Sequence, residues 1–304
     1  MPPLSSCSVS RPCLAIGTVS SALNDFVLKS QILSIKPKFT RIPMNKLVAS
    51  GCLSFVMLAV QTVEAQSSKN SVGDERGNLR LEVVSIPNAI SQGFVRLNPE
   101  VLLYHPLNIE GESTPLVIFL HGSGGSRRSI ERSKWTGEVK SFVSTQDGLP
   151  SAHVLVPQSK GLWDPGSLDK MLDYVLETNP TIDVNRVYCV GYSMGGKGTW
   201  EWAMTSPNRF AAIIPKAFIP DVSKLKGMVD LPIWAMVGTR DSKPRSEGIP
   251  AMKKALQELG SKVVKITVFE GANHATAAGR SKQLEGVYEW LFSHRLPRSK
   301  DEDR

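Results

Sequence analysis

The sequence predicts an α/β domain: a mostly parallel sheet of eight strands flanked by helices, with no large cap domain. From residue 81 onward, short apolar runs alternate with amphipathic stretches, the pattern of strands joined by crossover helices. The chain has 304 residues, 41% hydrophobic and 21% charged, which is enough to bury one large core and does not suggest disorder, collagen or a membrane bundle. No internal repeat interrupts this alternation.

The strands are expected near 81–86 (LEVVSI), 94–104 (FVRLNPEVLLY), 115–120 (PLVIFL), 153–157 (HVLVP), 186–190 (RVYCV), 211–215 (AAIIP), 232–237 (PIWAMV) and 263–269 (VVKITVF). The first two have no helix between them and read as an antiparallel edge. Helices are expected near 130–143, 167–177, 195–205, 248–259 and 281–293, where apolar residues recur at helical spacing. The stretch 217–231 reads as a short loop-and-helix connection.

Ahead of the domain, Met44-Asn45-Lys46, an apolar run from Leu47 to Val60 and Val63-Glu64-Ala65 form the three parts of a secretory signal, with cleavage expected after Ala65. The run is short for a membrane span and a polar stretch follows, so a secreted or periplasmic protein without stable membrane association is expected. An uncleaved N-terminal anchor is the alternative. The organisation is therefore a leader over 1–65 with its signal at 44–65, a linker over 66–80, the catalytic-size domain over 81–294 and a charged tail over 295–304. A start at Met1 that lies upstream of the true one would account for the aperiodic 1–43. Ala49-Ser50-Gly51-Cys52 is a poor lipoprotein box, because its cysteine precedes most of the apolar run.

The formal charge is +8, but residues 1–65 hold six Lys/Arg and two Asp/Glu, leaving 30 against 26, or +4, for the rest. No basic stripe with interleaved aromatics accompanies it, so no nucleic-acid partner is expected. Cys7, Cys13 and Cys52 precede the expected cleavage point. Cys189 alone remains, inside an apolar strand, which excludes a disulfide framework or a cysteine metal site in the mature chain.

Gly191-Tyr192-Ser193-Met194-Gly195 falls where the 186–190 strand gives way to a helix. A serine hydroxyl is a poor nucleophile at neutral pH and needs a base beside it; a tight turn after a buried strand exposes it for that. In an open parallel sheet the base and its orienting acid should come from loops at strand carboxyl ends. Asp241 follows the 232–237 strand through Gly238-Thr239-Arg240, and His274 follows the 263–269 strand through Glu270-Gly271-Ala272-Asn273. Alone, Asp241 reads equally as a helix cap and His274 as a polar loop residue; together with Ser193 they read as a catalytic triad. His105, His153 and His294 are poorly placed for the base.

Attack on a carbonyl also needs preorganised N–H donors for the developing oxyanion. His121-Gly122-Ser123-Gly124-Gly125 follows the most apolar strand and supplies a flexible turn, so the backbone N–H groups of Ser123 and Met194 are the expected pair. The glycine turn lacks the Walker spacing and its Lys-Ser/Thr, against a phosphate-binding reading. His121 is expected to brace this turn by hydrogen bonding. Gln158 and Trp163, in a loop on the same sheet edge, are a candidate substrate wall; Trp163 serves equally as a core residue. Trp200 and Trp202 read as packing residues.

These segments, PLVIFLHGSGG (115–125), RVYCVGYSMGGKGTW (186–200), NRFAA (208–212), GTRD (238–241) and the 271–274 loop, resemble secreted serine esterases of the α/β-hydrolase superfamily. Within it they are similar to carbohydrate esterases of the feruloyl and acetyl-xylan type, poly(3-hydroxybutyrate) depolymerases and phospholipase/carboxylesterase-like proteins. The likeness spans nearly all of 80–293. It implies an α/β-hydrolase fold and cleavage of small-molecule or polysaccharide-linked esters through an acyl-enzyme, with no metal or organic cofactor. Two positions depart from the pattern. Ala275-Thr276-Ala277-Ala278 follows the histidine where relatives often carry a bulky residue, and Lys197 stands where an aromatic is common. Lys197 either favours acidic substrates as part of the wall or is a helix-surface lysine. The competing readings are a peptidase of the prolyl-oligopeptidase type, which normally needs a gating domain this chain has no room for, and a non-catalytic binding protein on the same scaffold. Oligomeric state is not read from the sequence.

Overall fold

The structure, a computed structural model, describes residues 74–109, 111–135, 137–144 and 148–297. All lie in the compact unit Lys69–Arg304. The expected leader, its signal at 44–65 and the end of the charged tail lie outside the described residues, as do Cys7, Cys13 and Cys52.

Among the described residues the sheet has nine strands: β1 Glu75–Arg76, β2 Leu79–Ser85, β3 Glu100–Pro106, β4 Thr114–Leu120, β5 His153–Val156, β6 Ile182–Tyr192, β7 Ala212–Lys216, β8 Ile233–Gly238 and β9 Val264–Phe269. Their order is β1-β2-β3-β5-β4-β6-β7-β8-β9. From β1 through β3 to β5 the pairing is antiparallel, and from β5 across to β9 it is parallel. The expected antiparallel edge is present, extended by β1, so the sheet starts inside the stretch read as linker. The expected 94–104 strand begins only at Glu100. Residues 94–99 loop outward through Arg96, at φ 61°, and meet the sheet-edge loop through Leu97 and Ser159.

Helices α1 Asn88–Ser91, α2 Ile130–Ser133, α3 Glu138–Ser144, α4 Pro165–Thr178, α5 Met194–Thr205, α6 Lys243–Glu258, α7 His274–Lys282 and α8 Val287–Phe292 cover both faces. One expected helix is broken in two, and in place of the helix expected over 281–293 stand α7, which starts seven residues earlier, and the short α8. Trp135 and Gly137 take positive φ and split 130–143 into α2 and α3; Gly286, at φ 73°, separates α7 from α8. The helix after β9 thus begins at His274 itself. Residues 217–231 hold the 3-10 turn Val222–Met228, matching the expected short connection.

Strand side chains alternate between two cores, as a period of two requires. Leu116, Ile118 and Leu120 of β4 face one core with Leu172, Trp200, Trp202 and Met252; Val117 and Phe119 face the other with Phe142, Tyr288 and Leu291. Trp200 and Trp202 are fully buried, as their packing reading requires. Cys189 is buried on β6, and burial pushes its thiol up to about 12, so it is an inert core residue. At the C-terminal end Leu296 N–H donates to the Asn185 carbonyl and Arg295 pairs with Asp183, so the start of the expected charged tail is docked.

Burial lowers the imidazoles of His105, His121 and His153, that of His153 to about 4. In the unfolded chain they titrate near the usual histidine value of about 6.5. Below that pH the unfolded chain binds more protons than the folded one, so folding stability falls as pH drops, until folded His153 also protonates near 4. His153→Gln should flatten this slope, removing on the order of 2–3 kcal/mol of the loss between neutrality and about pH 4. Urea unfolding across that range checks it; a slope unchanged from wild type would contradict it.

Candidate active site

Ser193 stands between β6 and α5 with φ 57° and ψ −115°. Left-handed backbone at a non-glycine residue costs about 1–3 kcal/mol and persists only where its surroundings over-determine it. Here Ser193 N–H donates to the Lys216 carbonyl on β7 at 2.9 Å, and Lys197 N–H donates to the Ser193 carbonyl at 2.9 Å. A Cβ on Gly195 would collide with the Leu120 carbonyl on β4, and one on Gly191 with the Gly195 carbonyl. Gly195 is required by packing against the neighbouring strand, and Gly191 by packing against the first turn of α5.

Asp241 and His274 come from the next two strand ends. Thr239 N–H donates to the Phe269 carbonyl at 3.1 Å and Arg240 N–H to the Ala272 carbonyl at 2.9 Å, so the two loops are tied together. Asn273 caps α7 in a reciprocal capping box with Thr276, which fixes His274 as the first helical residue. His274 Nδ1 lies 2.7 Å from Asp241 Oδ2, and His274 Nε2 lies 2.9 Å from Ser193 Oγ. The structure thus brings together all three residues the sequence singled out.

The Asp241 side chain is almost fully buried. Its Oδ1 accepts from Ser242 N–H at 2.7 Å and from Arg245 Nη1 at 3.2 Å. Burial alone would raise its carboxyl, but the hydrogen bonds from His274, Ser242 and Arg245 outweigh that and hold it below its ordinary value. A carboxylate on Oδ2 makes Nδ1 the protonated ring nitrogen. Nε2 is then free to accept from Ser193.

Ser123 and Met194 each open a helical turn, the 3-10 turn Ser123–Gly125 and α5. First-turn N–H groups have no intrahelical acceptor and are available to a ligand oxygen. The two turns are in contact. A Cβ on Gly122 would lie 3.2 Å from the Tyr192 carbonyl oxygen and 3.5 Å from Ser193 Cβ. His121 braces the turn as expected: Nδ1 pairs with the Gly122 carbonyl at 2.9 Å and Nε2 accepts from Ser159 N–H at 3.0 Å.

A cleft of about 270 Å³ opens beside the elbow, lined by Leu120, Gly122, Gln158, Tyr192 and Ala278 among others. Gln158 reaches it, and also spans Gly125 and Arg128 carbonyls while accepting from Ser133. The other two candidates for the wall do not line it. Trp163 is 4% exposed, donates to the His121 carbonyl at 3.2 Å and packs under Gly198, so it is a core residue behind the glycine turn. Lys197 pairs with Glu201 one turn along α5 and lies 6.0 Å from the Phe218 ring. The sequence reading overlooked Arg245, although it stands four residues after Asp241, and the buried Lys216–Glu138 pair at 2.9 Å, whose Glu138 borders the cleft. Among the described residues no group of three or more His, Cys, Asp or Glu is arranged to hold a metal ion.

A parallel sheet with helices on both faces, a strained serine turn after β6 and acid and base at later strand ends define the architecture. The chain folds as an α/β-hydrolase. The dienelactone hydrolase family model matches residues 162–290 of the chain, a span holding Ser193, Asp241 and His274 but not the glycine turn. A 2-hydroxy-6-oxononadienedioate/2-hydroxy-6-oxononatrienedioate hydrolase from Paraburkholderia xenovorans is 26% identical over 156 residues, 45% of this chain and 51% of that protein. The chain therefore spans about half the length of the curated relative it matches. Among solved structures, a thermostable esterase is 26% identical with a TM-score of 0.57, covering 72% of this chain and 63% of that one. Two more share the fold at lower identity. The Pyrococcus horikoshii acylaminoacyl peptidase is 15% identical (TM-score 0.53; 73% of this chain, 42% of that one). A mutant feruloyl esterase module from Clostridium thermocellum, complexed with sinapinate, is 14% identical (TM-score 0.53; 73% and 90%).

Gly195→Ala should destabilise the fold by about 1–3 kcal/mol or more, because the new methyl must displace the Leu120 carbonyl. Gly124→Ala, where a Cβ meets nothing within 4 Å, should leave stability unchanged. Denaturant midpoints of the two variants check the contrast; equal midpoints would contradict it.

Proposed function

We propose that the protein is a serine hydrolase that cleaves carboxylic esters, carbohydrate-linked or small acyl, through an acyl-enzyme intermediate. The observation that carries this is the continuous chain Ser193 Oγ to His274 Nε2 at 2.9 Å and His274 Nδ1 to Asp241 Oδ2 at 2.7 Å. His274 removes the proton as Ser193 attacks the ester carbonyl. Asp241 holds the imidazole tautomer and stabilises the imidazolium. The N–H groups of Ser123 and Met194 receive the oxyanion. His274 then protonates the leaving alcohol, and water repeats the sequence to release the acid. Every step uses the chain's own groups, without a metal or organic cofactor.

The similarity to a thermostable esterase favours an ester over an amide substrate. The cleft of about 270 Å³ suits a small acyl or leaving group. The pattern across Met44 to Gln66 supports export, with no stable membrane association after cleavage of the signal. N-terminal sequencing of exported protein should read from Gln66; a retained leader would overturn cleavage after Ala65 in favour of an uncleaved N-terminal anchor.

Ser193→Ala should lower kcat/KM on short-chain aryl esters by at least about 10⁴-fold with the thermal midpoint unchanged, and Asp241→Asn by about 10⁴-fold. Activity retained in Ser193→Ala would sink the mechanism. A panel of aryl esters, feruloylated and acetylated sugars and proline peptides should rank esters first; turnover confined to peptides would replace the ester reading with a peptidase.

A further inference from the structure

Tyr192 is part of the serine pentapeptide, yet its side chain contacts the base. Its hydroxyl donates to the His274 carbonyl at 2.6 Å, and its ring centroid lies 5.0 Å from the imidazole centroid with the planes 35° apart. Its backbone is equally placed: the Tyr192 carbonyl and ring edge lie against Gly122 of the glycine turn. One residue therefore touches the turn expected to bind the oxyanion, adjoins the nucleophile and holds the base.

His274 needs such a hold. It is the first residue of a nine-residue helix, and its side chain is about one-third exposed. Asn273 and Thr276 fix the helix start, and Asp241 fixes one edge of the ring. Farther along, Arg280 Nη1 donates to the Glu270 carbonyl at 2.7 Å and the Lys282 carbonyl accepts from Ser141 Oγ at 2.8 Å, but none of these ties joins the helix start to the elbow. The Tyr192 hydroxyl links that helix start to the last residue of β6 directly. Burial, with Asp241 adding to it, pushes the phenol up to about 12, so it remains a hydrogen-bond donor through neutral pH.

We propose that Tyr192 is a positioning residue for the reaction, anchoring the first turn of α7 through its hydroxyl and supporting the imidazole through its ring, so that His274 is held on Ser193. This rests on the serine-hydrolase reading above. Because the hydroxyl hydrogen-bonds to the His274 backbone, and Tyr192→Phe keeps the ring that lines the cleft, loss of the hydroxyl should slow the chemical step and leave substrate binding intact.

The test compares Tyr192→Phe, which keeps the ring, with Tyr192→Leu, which removes both contacts, in the full-length protein. With an aryl ester, Tyr192→Phe should lower kcat about tenfold with KM unchanged, and Tyr192→Leu should lower it about a hundredfold. The proton NMR signal of His274 Nδ1–H, hydrogen-bonded to Asp241 in wild type, should exchange faster with solvent in Tyr192→Phe while the thermal midpoint stays close to wild type. Unchanged kcat and unchanged exchange in Tyr192→Phe would overturn the proposal. So would a loss of kcat/KM that appears wholly as a raised KM, which would confine Tyr192 to its part in the cleft lining. The Ser193→Ala control separates the two levels: an active Ser193→Ala removes the underlying mechanism, whereas an inactive Ser193→Ala beside a fully active Tyr192→Phe removes only the positioning role.

Discussion

The strained backbone at Ser193 is the constraint on which the site depends. A left-handed serine between a strand and a helix is unfavourable in isolation, and three strands impose it. β6 leads into it, the Lys216 carbonyl of β7 takes its N–H, and the Leu120 carbonyl of β4 leaves room for nothing larger than glycine two residues on. With the turn so fixed, the hydroxyl projects beyond the sheet edge and the Met194 N–H opens a helix beside it. The elbow is thus a product of β6 lying between β4 and β7, and a pentapeptide outside such a sheet would not hold it.

Strand order then delivers the partners. β7 separates β6 from β8, and β9 follows, so the loops after β8 and β9 reach back toward the elbow from one side while the glycine turn after β4 approaches from the other. The hydrogen bonds from Thr239 and Arg240 to the β9 loop join acid and base before either meets the serine. Asp241 is buried yet held ionised by its hydrogen bonds, an arrangement that fixes the tautomer of His274. The glycine turn is braced from behind by His121, Ser159, Gln158 and Trp163.

Ser193, Asp241 and His274 were legible because each follows an apolar run at short, regular distance, and a parallel sheet turns such local signals into spatial proximity. The core strands were legible for the same reason, with most ends displaced by a residue or two, while β6 starts four residues and β3 six residues from the expected position. The helix breaks were not, because Trp135 carries no sequence mark of the positive φ it adopts, and Gly286 sits within an otherwise helical pattern. Trp163 in a polar loop looks like a sugar platform; only the approach of Gly198 from α5 reveals the space it fills. Lys197 shows the reverse case. Its partner Glu201 stands at the i+4 position, which fits the alternative of a helix-surface lysine. Arg245 was legible by spacing but its contact was not, since it requires α6 to start immediately after the Asp241 loop.

The central claim is that the polar chain from Asp241 through His274 activates Ser193 and no other serine. Intact-protein and peptide mass spectrometry after treatment with a fluorophosphonate measures it directly, since phosphonylation requires an activated hydroxyl and reports which one reacted. The account predicts a single adduct at Ser193, formed with loss of activity in parallel and strongly slowed by replacing His274 with Ala. An adduct on another residue, or an active protein that reacts nowhere, would contradict it.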